Sequence, residues 1–233
     1  MILSTSHNFL FVHIPKTAGT ALTEALGPFG VGSNRSLWRS FLRRLPVSEA
    51  PERAHIRKHD PAFRIARKLT RPVYDGFHTF TVVRNPFDHA VSHFEFMKEF
   101  RIRKVAERIQ AMTFEEYLAY RMKKPFWNNT FFARQPNQSW FVVDGDGALM
   151  VDRVMYFETL QTDFDRLVSD LQLTGATLKH INRTKSKSEK KPYWDYYDAT
   201  TEDMVRSYYA ADFPLLGYSR KLDERMPVNR AAG

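Results

Sequence analysis

The chain has 233 residues, of which 43% are hydrophobic and 14% aromatic, so it can bury the core of one globular domain of ordinary to large size and is not a disordered chain. Its 35 Lys and Arg residues outnumber its 26 Asp and Glu residues, and the net charge of +9 suits an anionic partner such as a phosphorylated cofactor, an acidic glycan, nucleic acid or a membrane surface. The absence of cysteine excludes a disulfide framework and fits a reducing compartment. No apolar run is long enough to span a membrane, and the N-terminus lacks the basic start of a signal peptide, so we expect a cytoplasmic protein.

The first predicted elements are a buried strand over residues 8–14 and a helix over residues 20–26, joined by a short polar turn. A strand that leads through a turn into a helix N-terminus presents backbone N–H groups and the positive end of the helix dipole to an anion. The turn and the start of the helix are therefore predicted to bind a phosphate through Lys16, Thr17, Ala18, Gly19 and Thr20. We expect backbone N–H groups and two hydroxyls from these residues, with the glycine allowing a close approach of the backbone.

The order of residues in this turn differs from the triphosphate loop of ATPases and GTPases, G-x-x-x-x-G-K-[ST]. Lys16 precedes Gly19 instead of following a glycine, and the turn has no earlier glycine. Those enzymes also need an aspartate at a strand end for magnesium. The next predicted strand, residues 77–83, ends instead in Arg84, which binds anions. Asp144 is a weak rival, because the glycines beside it indicate a turn between two strands.

The remaining pattern predicts further strands and helices in alternation. Asn85 is expected to cap, and Pro86 to begin, a helix that ends near residue 100, while Thr113 and Glu116 form the T-x-x-E pattern of a capping box before a helix over residues 114–122. We predict helices over residues 61–69, 162–171 and 201–211, and strands near residues 140–143 and 151–157. This alternation predicts an α/β fold of three layers, α/β/α, with a mainly parallel central sheet whose ligands bind at the carboxyl ends of strands.

Two of these segments resemble motifs of the sulfotransferases that use 3′-phosphoadenosine-5′-phosphosulfate (PAPS). Residues 13–20 resemble their 5′-phosphosulfate loop, and residues 82–92 resemble their 3′-phosphate motif, in which an arginine is followed eight residues later by a serine. A lysine-histidine segment at residues 58–68 is similar to one in the carbohydrate branch, which includes uronyl 2-O-sulfotransferases and bacterial family 2 proteins. Residues 180–218 fit as well, so the resemblance spans about residues 8 to 219.

The resemblance implies a P-loop-NTPase-like sulfotransferase fold in a single domain over residues 1–233, with a core of about residues 8–219 and a poorly ordered tail from residue 220. It implies transfer of a sulfuryl group from PAPS to a hydroxyl of a carbohydrate or glycoconjugate, with no metal and no nucleic acid involved. The positive charge favours an acidic acceptor and is compatible with peripheral contact to a membrane. Vertebrate relatives carry a membrane anchor that this sequence lacks, which favours a cytoplasmic bacterial enzyme.

The resemblance also implies a role for each candidate residue. Lys16 would stabilise the leaving nucleotide, and Arg84 with Ser92 would hold the 3′-phosphate. His59 is the first candidate for the general base that accepts the proton of the acceptor hydroxyl, with Glu24 as a minor rival. The basic loop that begins at residue 183 would close over the 3′-phosphate and adenine, with these candidates: Arg183 and Lys185.

Other interpretations stay open at this stage. His89 and His93 have the spacing of a metal-binding pair, but no third ligand is evident and a core or surface role is expected; His13 is also expected to be structural. The whole protein could instead be a P-loop nucleotide kinase, although its Walker lysine and magnesium aspartate are missing. A non-catalytic basic module that binds nucleic acid or an anionic glycan fits the charge, although no nucleic-acid motif is visible.

Overall fold

The computed structural model describes residues 1–31, 48–54, 56–123, 136–179 and 191–228. Within these ranges the strands are β1 (Ile2–Ser4), β2 (Phe9–Val12), β3 (His78–Val83) and β4 (Arg153–Tyr156). The α-helices there are α1 (Gly19–Leu26), α2 (Ala62–Leu69), α3 (Arg71–Asp75), α4 (Pro86–Lys98), α5 (Arg103–Gln110), α6 (Phe114–Met122), α7 (Leu160–Asp170), α8 (Ala199–Tyr208) and α9 (Asp212–Leu215).

The described residues form two compact units. Unit 1 holds residues 1–83 and 140–179, and unit 2 holds residues 84–139 and 191–228. All four strands belong to unit 1, whereas the elements of unit 2 are helices in the part of it that the structure describes. Across the described ranges, none of the helices is both long and apolar enough to cross a membrane.

Unit 1 is built on a sheet with the strand order β1-β2-β3-β4. β1 runs antiparallel to β2, while β2, β3 and β4 are mutually parallel, with Phe11 opposite Phe80 and Val83 opposite Tyr156. Short strands rich in Phe and Val are typical of parallel sheets that are covered on both faces. The predicted α/β fold with a mostly parallel sheet is therefore confirmed.

Both faces of this sheet are indeed buried. On one face, Phe9, Phe11 and Phe80 pack in a common core with Leu22 of α1 and Phe164 of α7. The alternate strand residues face the other way and are also inaccessible to solvent, as these examples show: Leu10, Val12, Thr81 and Val83. The turns after β2 and β3 therefore begin at the ends of strands that are buried on both faces.

The prediction of a strand near residues 140–143 is wrong. A short 3-10 helix, Ser139–Phe141, takes its place, and a single antiparallel bridge joins Val143 to Leu149. The carboxylate of Asp144 accepts N–H groups from Asp146 and Ala148, which closes a tight turn in place of a longer ladder. Asp144 is therefore committed to its own turn and is not placed like a magnesium ligand at the end of a buried strand.

The helix starts in unit 2 follow the predicted caps. The side chain of Asn85 accepts the N–H of Phe87 at 3.0 Å, and Pro86 opens α4. Thr113 and Glu116 exchange both bonds of a capping box at the start of α6. The predicted bounds of α6 are confirmed, and α4 ends two residues before the predicted end.

Candidate active site

The turn after β2 adopts an unusual backbone conformation. Lys16 and Ala18 have positive φ angles of 68° and 64°, whereas Thr17 between them does not. The left-handed region costs a residue other than glycine roughly 1–2 kcal/mol, and such residues concentrate at functional sites. Turns of this kind point successive backbone N–H groups toward one place and form a concave site for an anion.

The start of α1 adds to this site. Ala18 is the N-cap and offers no side-chain acceptor to the first turn of the helix. Among the described residues, no hydrogen-bond acceptor is recorded for the N–H groups of Thr17, Ala18, Gly19 and Thr20. These N–H groups, together with the helix dipole, give the turn a strong preference for negative charge. We call residues 16–20 the anion loop.

The side chains of the anion loop contribute less than its backbone. The hydroxyl of Thr17 is buried and donates to the carbonyl of Ile14 at 2.9 Å, so Thr17 can offer a ligand only its N–H group. Thr20 is exposed. Gly19 packs against the imidazole of His13, which leaves no room for a side chain at position 19. The structure thus gives the glycine a packing role inside the chain, and its close approach to phosphate stays a prediction.

His59 lies in the same unit, before α2. Its Nδ1 is 3.1 Å from the carbonyl oxygen of His13, and the two imidazole rings meet edge to face at 4.4 Å between centroids. Because a carbonyl oxygen only accepts, Nδ1 must carry the hydrogen, and Nε2 is then the basic nitrogen of the neutral ring.

Burial lowers the pKa of His59 to about 4, although the hydrogen bond to the His13 carbonyl acts in the opposite direction. The positive charge of Lys58 lowers this pKa further, and the carboxylate of Asp60 raises it. The lowered pKa favours the neutral form of His59 at physiological pH. The exposed Glu24 on α1, the predicted rival, has no comparable burial.

Asp60 holds the segment that carries His59, and the sequence analysis missed it. Its buried carboxylate accepts the backbone N–H of Arg57 at 2.8 Å and pairs with the guanidinium of Arg64 at 3.3 Å. The spacing of Asp60 and Arg64, four residues apart at a helix start, is the signal that could have identified this clamp.

In unit 2, Arg84 follows directly on the last residue of β3 and lies at the start of α4. Its Nη1 donates to the hydroxyl of Ser92 at 2.9 Å, so the structure brings together the two residues predicted to bind the 3′-phosphate. Its Nε and Nη2 donate to the two oxygens of Asp88 at 2.7 and 2.8 Å. Asp88 was not predicted as part of the site, although it stands four residues after Arg84, the ordinary spacing of a helical ion pair.

A second set of bonds fixes the backbone of Arg84. The side chain of Gln138 accepts the N–H of Arg84 at 2.9 Å and donates to its carbonyl at 2.8 Å. The buried carboxylate of Asp212 accepts the N–H groups of Gln138 and Ser139, and burial raises the pKa of Asp212 to about 6. The position of Arg84 is therefore set by contacts far along the chain that no local pattern reveals.

His89 and His93 have structural roles in unit 2. Both are fully buried on α4, where His89 Nδ1 lies 2.8 Å from the hydroxyl of Tyr209 and His93 is bonded to the hydroxyl of Tyr117. In the ranges that the structure covers, no cluster of three or more His, Cys, Asp or Glu side chains is arranged for a metal ion. The predicted cofactor residues Arg183 and Lys185 lie outside the described residues.

Residues 1–219 match the model of a protein family described as "Sulfotransferase family". The chain belongs to the sulfotransferase family. Neither the curated proteins nor the solved structures contained a match. The matched region includes the anion loop, the His59 segment and the Arg84 motif, so the sulfotransferase assignment extends over parts of both units. The protein is an enzyme that transfers a sulfuryl group to an acceptor.

Proposed function

We propose that this sulfotransferase takes PAPS as its donor and transfers the sulfuryl group to a hydroxyl of a carbohydrate or glycoconjugate. This proposal rests on the anion loop. Within the described residues, no hydrogen-bond acceptor is found for the N–H groups of residues 17–20. A site built mainly from backbone N–H groups fits a phosphosulfate and requires no metal.

The residues of the loop fit the donor in a definite way. When bound, PAPS supplies the sulfuryl group and a nucleotide leaving group. The N–H groups of the loop would hold the 5′ end, and Lys16 would neutralise the charge that grows on the leaving oxygen, because a positioned cation acts most strongly where charge develops in the transition state. Arg84 and Ser92 would bind the 3′-phosphate, with Arg84 sharing its guanidinium between that phosphate and Asp88.

His59 would remove the proton from the acceptor hydroxyl. Its Nδ1–H is held by the His13 carbonyl, so Nε2 is the nitrogen that would accept the proton. The low pKa of the free site makes His59 a weak base, but bound anions favour the charged form of a histidine and would raise that pKa toward the working pH.

The acceptor class rests on charge and on the resemblance to the carbohydrate branch. A net charge of +9 suits an acidic glycan or glycoconjugate, and it also suits peripheral contact with an anionic membrane. The cytoplasmic location and the bacterial origin expected from the sequence remain predictions, as does the single-domain organisation.

A thermal-shift experiment tests the donor first. We expect 3′-phosphoadenosine-5′-phosphate to raise the melting temperature without added metal, because a ligand that binds only the native state stabilises it. Adenosine 5′-phosphate, which differs only in lacking the 3′-phosphate, is the matched ligand and should raise the melting temperature less. Stabilisation by ATP with magnesium alone would favour a kinase, and salt-dependent DNA binding without nucleotide affinity would favour a non-catalytic basic module.

Transfer itself is then measured with donor labelled in the sulfuryl group and a panel of neutral and acidic glycans. Label should appear on a glycan hydroxyl and increase with the acidity of the glycan. Transfer to non-carbohydrate hydroxyls only would show that the acceptor class is wrong while the donor is right.

A further inference from the structure

Position 19 is closed to any side chain by the imidazole of His13. A Cβ atom built on Gly19 would penetrate the His13 ring, where it would lie closest to Nε2 and only 2.5 Å from Cε1. Real Cβ atoms do not approach other atoms this closely, so either the ring or the start of α1 would have to move. His13 is 3% exposed and its ring stacks on Phe11 at 5.5 Å, so a displaced ring would lose these packing contacts.

The backbone of Gly19 does not need a glycine for its own conformation. Gly19 is the first residue of α1 and its φ angle is not positive. Alanine is also the better helix former, by about 1 kcal/mol when the two residues are compared in a helix interior. The steric conflict with His13 is thus the reason that the structure gives for a glycine here.

His13 in turn holds His59 in two ways. Its carbonyl oxygen accepts the Nδ1–H of His59, and its ring supports the edge of the His59 ring. A displaced His13 ring would therefore disturb the orientation of His59.

We propose that Gly19 and His13 are positioning residues for His59: the glycine makes room for the His13 imidazole, and His13 orients the base. This inference rests on the proposed role of His59 and adds a positioning role to the backbone N–H that Gly19 contributes to the anion loop. Gly19 acts only through His13, since no contact of its own with His59 is needed.

A double-mutant cycle with Gly19→Ala, His13→Ala and the double variant tests the proposal. In the native background, Gly19→Ala should lower the melting temperature and reduce kcat roughly tenfold or more, while KM for the donor stays within about twofold. In the His13→Ala background the ring is gone, so Gly19→Ala should leave kcat unchanged and leave the melting temperature equal or higher. Gly27→Ala is the matched control, because a Cβ there meets no atom within 4 Å and its φ of −51° suits alanine.

Two results would overturn the inference. One is an equal loss from Gly19→Ala with and without the His13 ring, which would show that the two residues do not act together. The other is a raised donor KM with unchanged kcat, which would limit Gly19 to its part in donor binding. Failure of the proposed function looks different: His59→Gln would then retain full kcat, or the enzyme would transfer nothing from PAPS.

Discussion

The two predicted phosphate-binding elements differ in how much of their hydrogen-bonding capacity the folded chain already uses. In unit 1, the N–H groups of residues 17–20 have no recorded acceptor in the described residues. In unit 2, the guanidinium of Arg84 already donates to both oxygens of Asp88 and to Ser92. An anion gains more from donors that have no internal competitor, because nothing must be displaced when it binds. We therefore expect the anion loop to govern the rate of transfer and the Arg84 cluster to adjust donor affinity.

Replacement of Lys16 should have the largest effect. Lys16→Ala removes the only side-chain cation of the anion loop, and we expect kcat to fall by about a thousandfold, at the upper end of the loss seen for a single transition-state donor. The melting temperature should change little, because the side chain of Lys16 is only partly buried. Initial rates with labelled donor measure the loss, and Lys104→Ala, at an exposed lysine of α5, is the control. Retention of near-native kcat by Lys16→Ala would exclude the proposed role of the loop.

Replacement of His59 should have the next largest effect. We expect His59→Gln to reduce kcat by about a hundredfold, the low end of what a general base contributes, with donor affinity preserved. His7→Gln is the control, since the His7 ring bonds to neighbouring Ser6 and packs edge-on against Phe29, while its backbone N–H donates to Ser4. An unchanged kcat in His59→Gln would show that another residue acts as the general base.

The pH profile gives a second test of His59. Burial places its pKa at about 4, below the ordinary value of 6.5, and the neutral ring is the form that accepts a proton. The kcat/KM of the native enzyme should thus stay level through 6.5 and fall as the pH drops through about 4. The free energy of unfolding changes with pH in the same direction. The unfolded chain binds the proton at a higher pH than the folded chain. The contribution of His59 to stability is therefore complete above pH 6.5 and is lost as the pH falls through about 4. His59→Gln should flatten that part of the stability profile, and a limb centred near 6.5 would contradict the burial of His59.

The anion loop shows what the sequence could predict and what it could not. Strand, turn and helix start were predictable from apolar runs and from the residues of the turn. The strained residues were not, because the positive φ angles fall on Lys16 and Ala18, neither of which is a glycine. The sequence shows which residue tolerates a left-handed backbone. Only the folded chain shows that a glycine is required at position 19, because this position packs against His13.

The Arg84 cluster shows the same limit in unit 2. The motif predicted that Arg84 and Ser92 bind one phosphate together; they are in contact at 2.9 Å, and their shared role stays a prediction. The bonds from Gln138 and Asp212 come from residues more than 50 positions away, and only the folded chain brings them to the backbone of Arg84 or to its neighbours. Asp88 is a different case, because its spacing from Arg84 was visible in the sequence.

Arg84→Lys should have an intermediate effect on donor binding. A lysine keeps the charge but loses the fork that bonds to Asp88 and Ser92 at once, and Lys cannot bind a phosphate in two places. We expect KM for PAPS to rise about tenfold, the size of one bond to a charged group, with a smaller change in kcat. Titration with 3′-phosphoadenosine-5′-phosphate measures the affinity, and adenosine 5′-phosphosulfate should bind the native and variant enzymes equally. A tenfold fall in kcat with unchanged affinity would place Arg84 in the transition state and remove the contrast between the two elements.

Ser92→Ala should have the smallest effect of the four. It removes one neutral hydroxyl that accepts from Arg84, whereas Asp88 still holds the guanidinium through two charged bonds. We expect donor affinity to fall by only about threefold, the value of a modest hydrogen bond, and kcat to stay as in the native enzyme. Ser92→Thr keeps the hydroxyl and should restore the affinity, unless the added methyl group disturbs α4, which its melting temperature would reveal. A loss from Ser92→Ala as large as that from Arg84→Lys would mean that the serine, and not the arginine, holds the 3′-phosphate in unit 2.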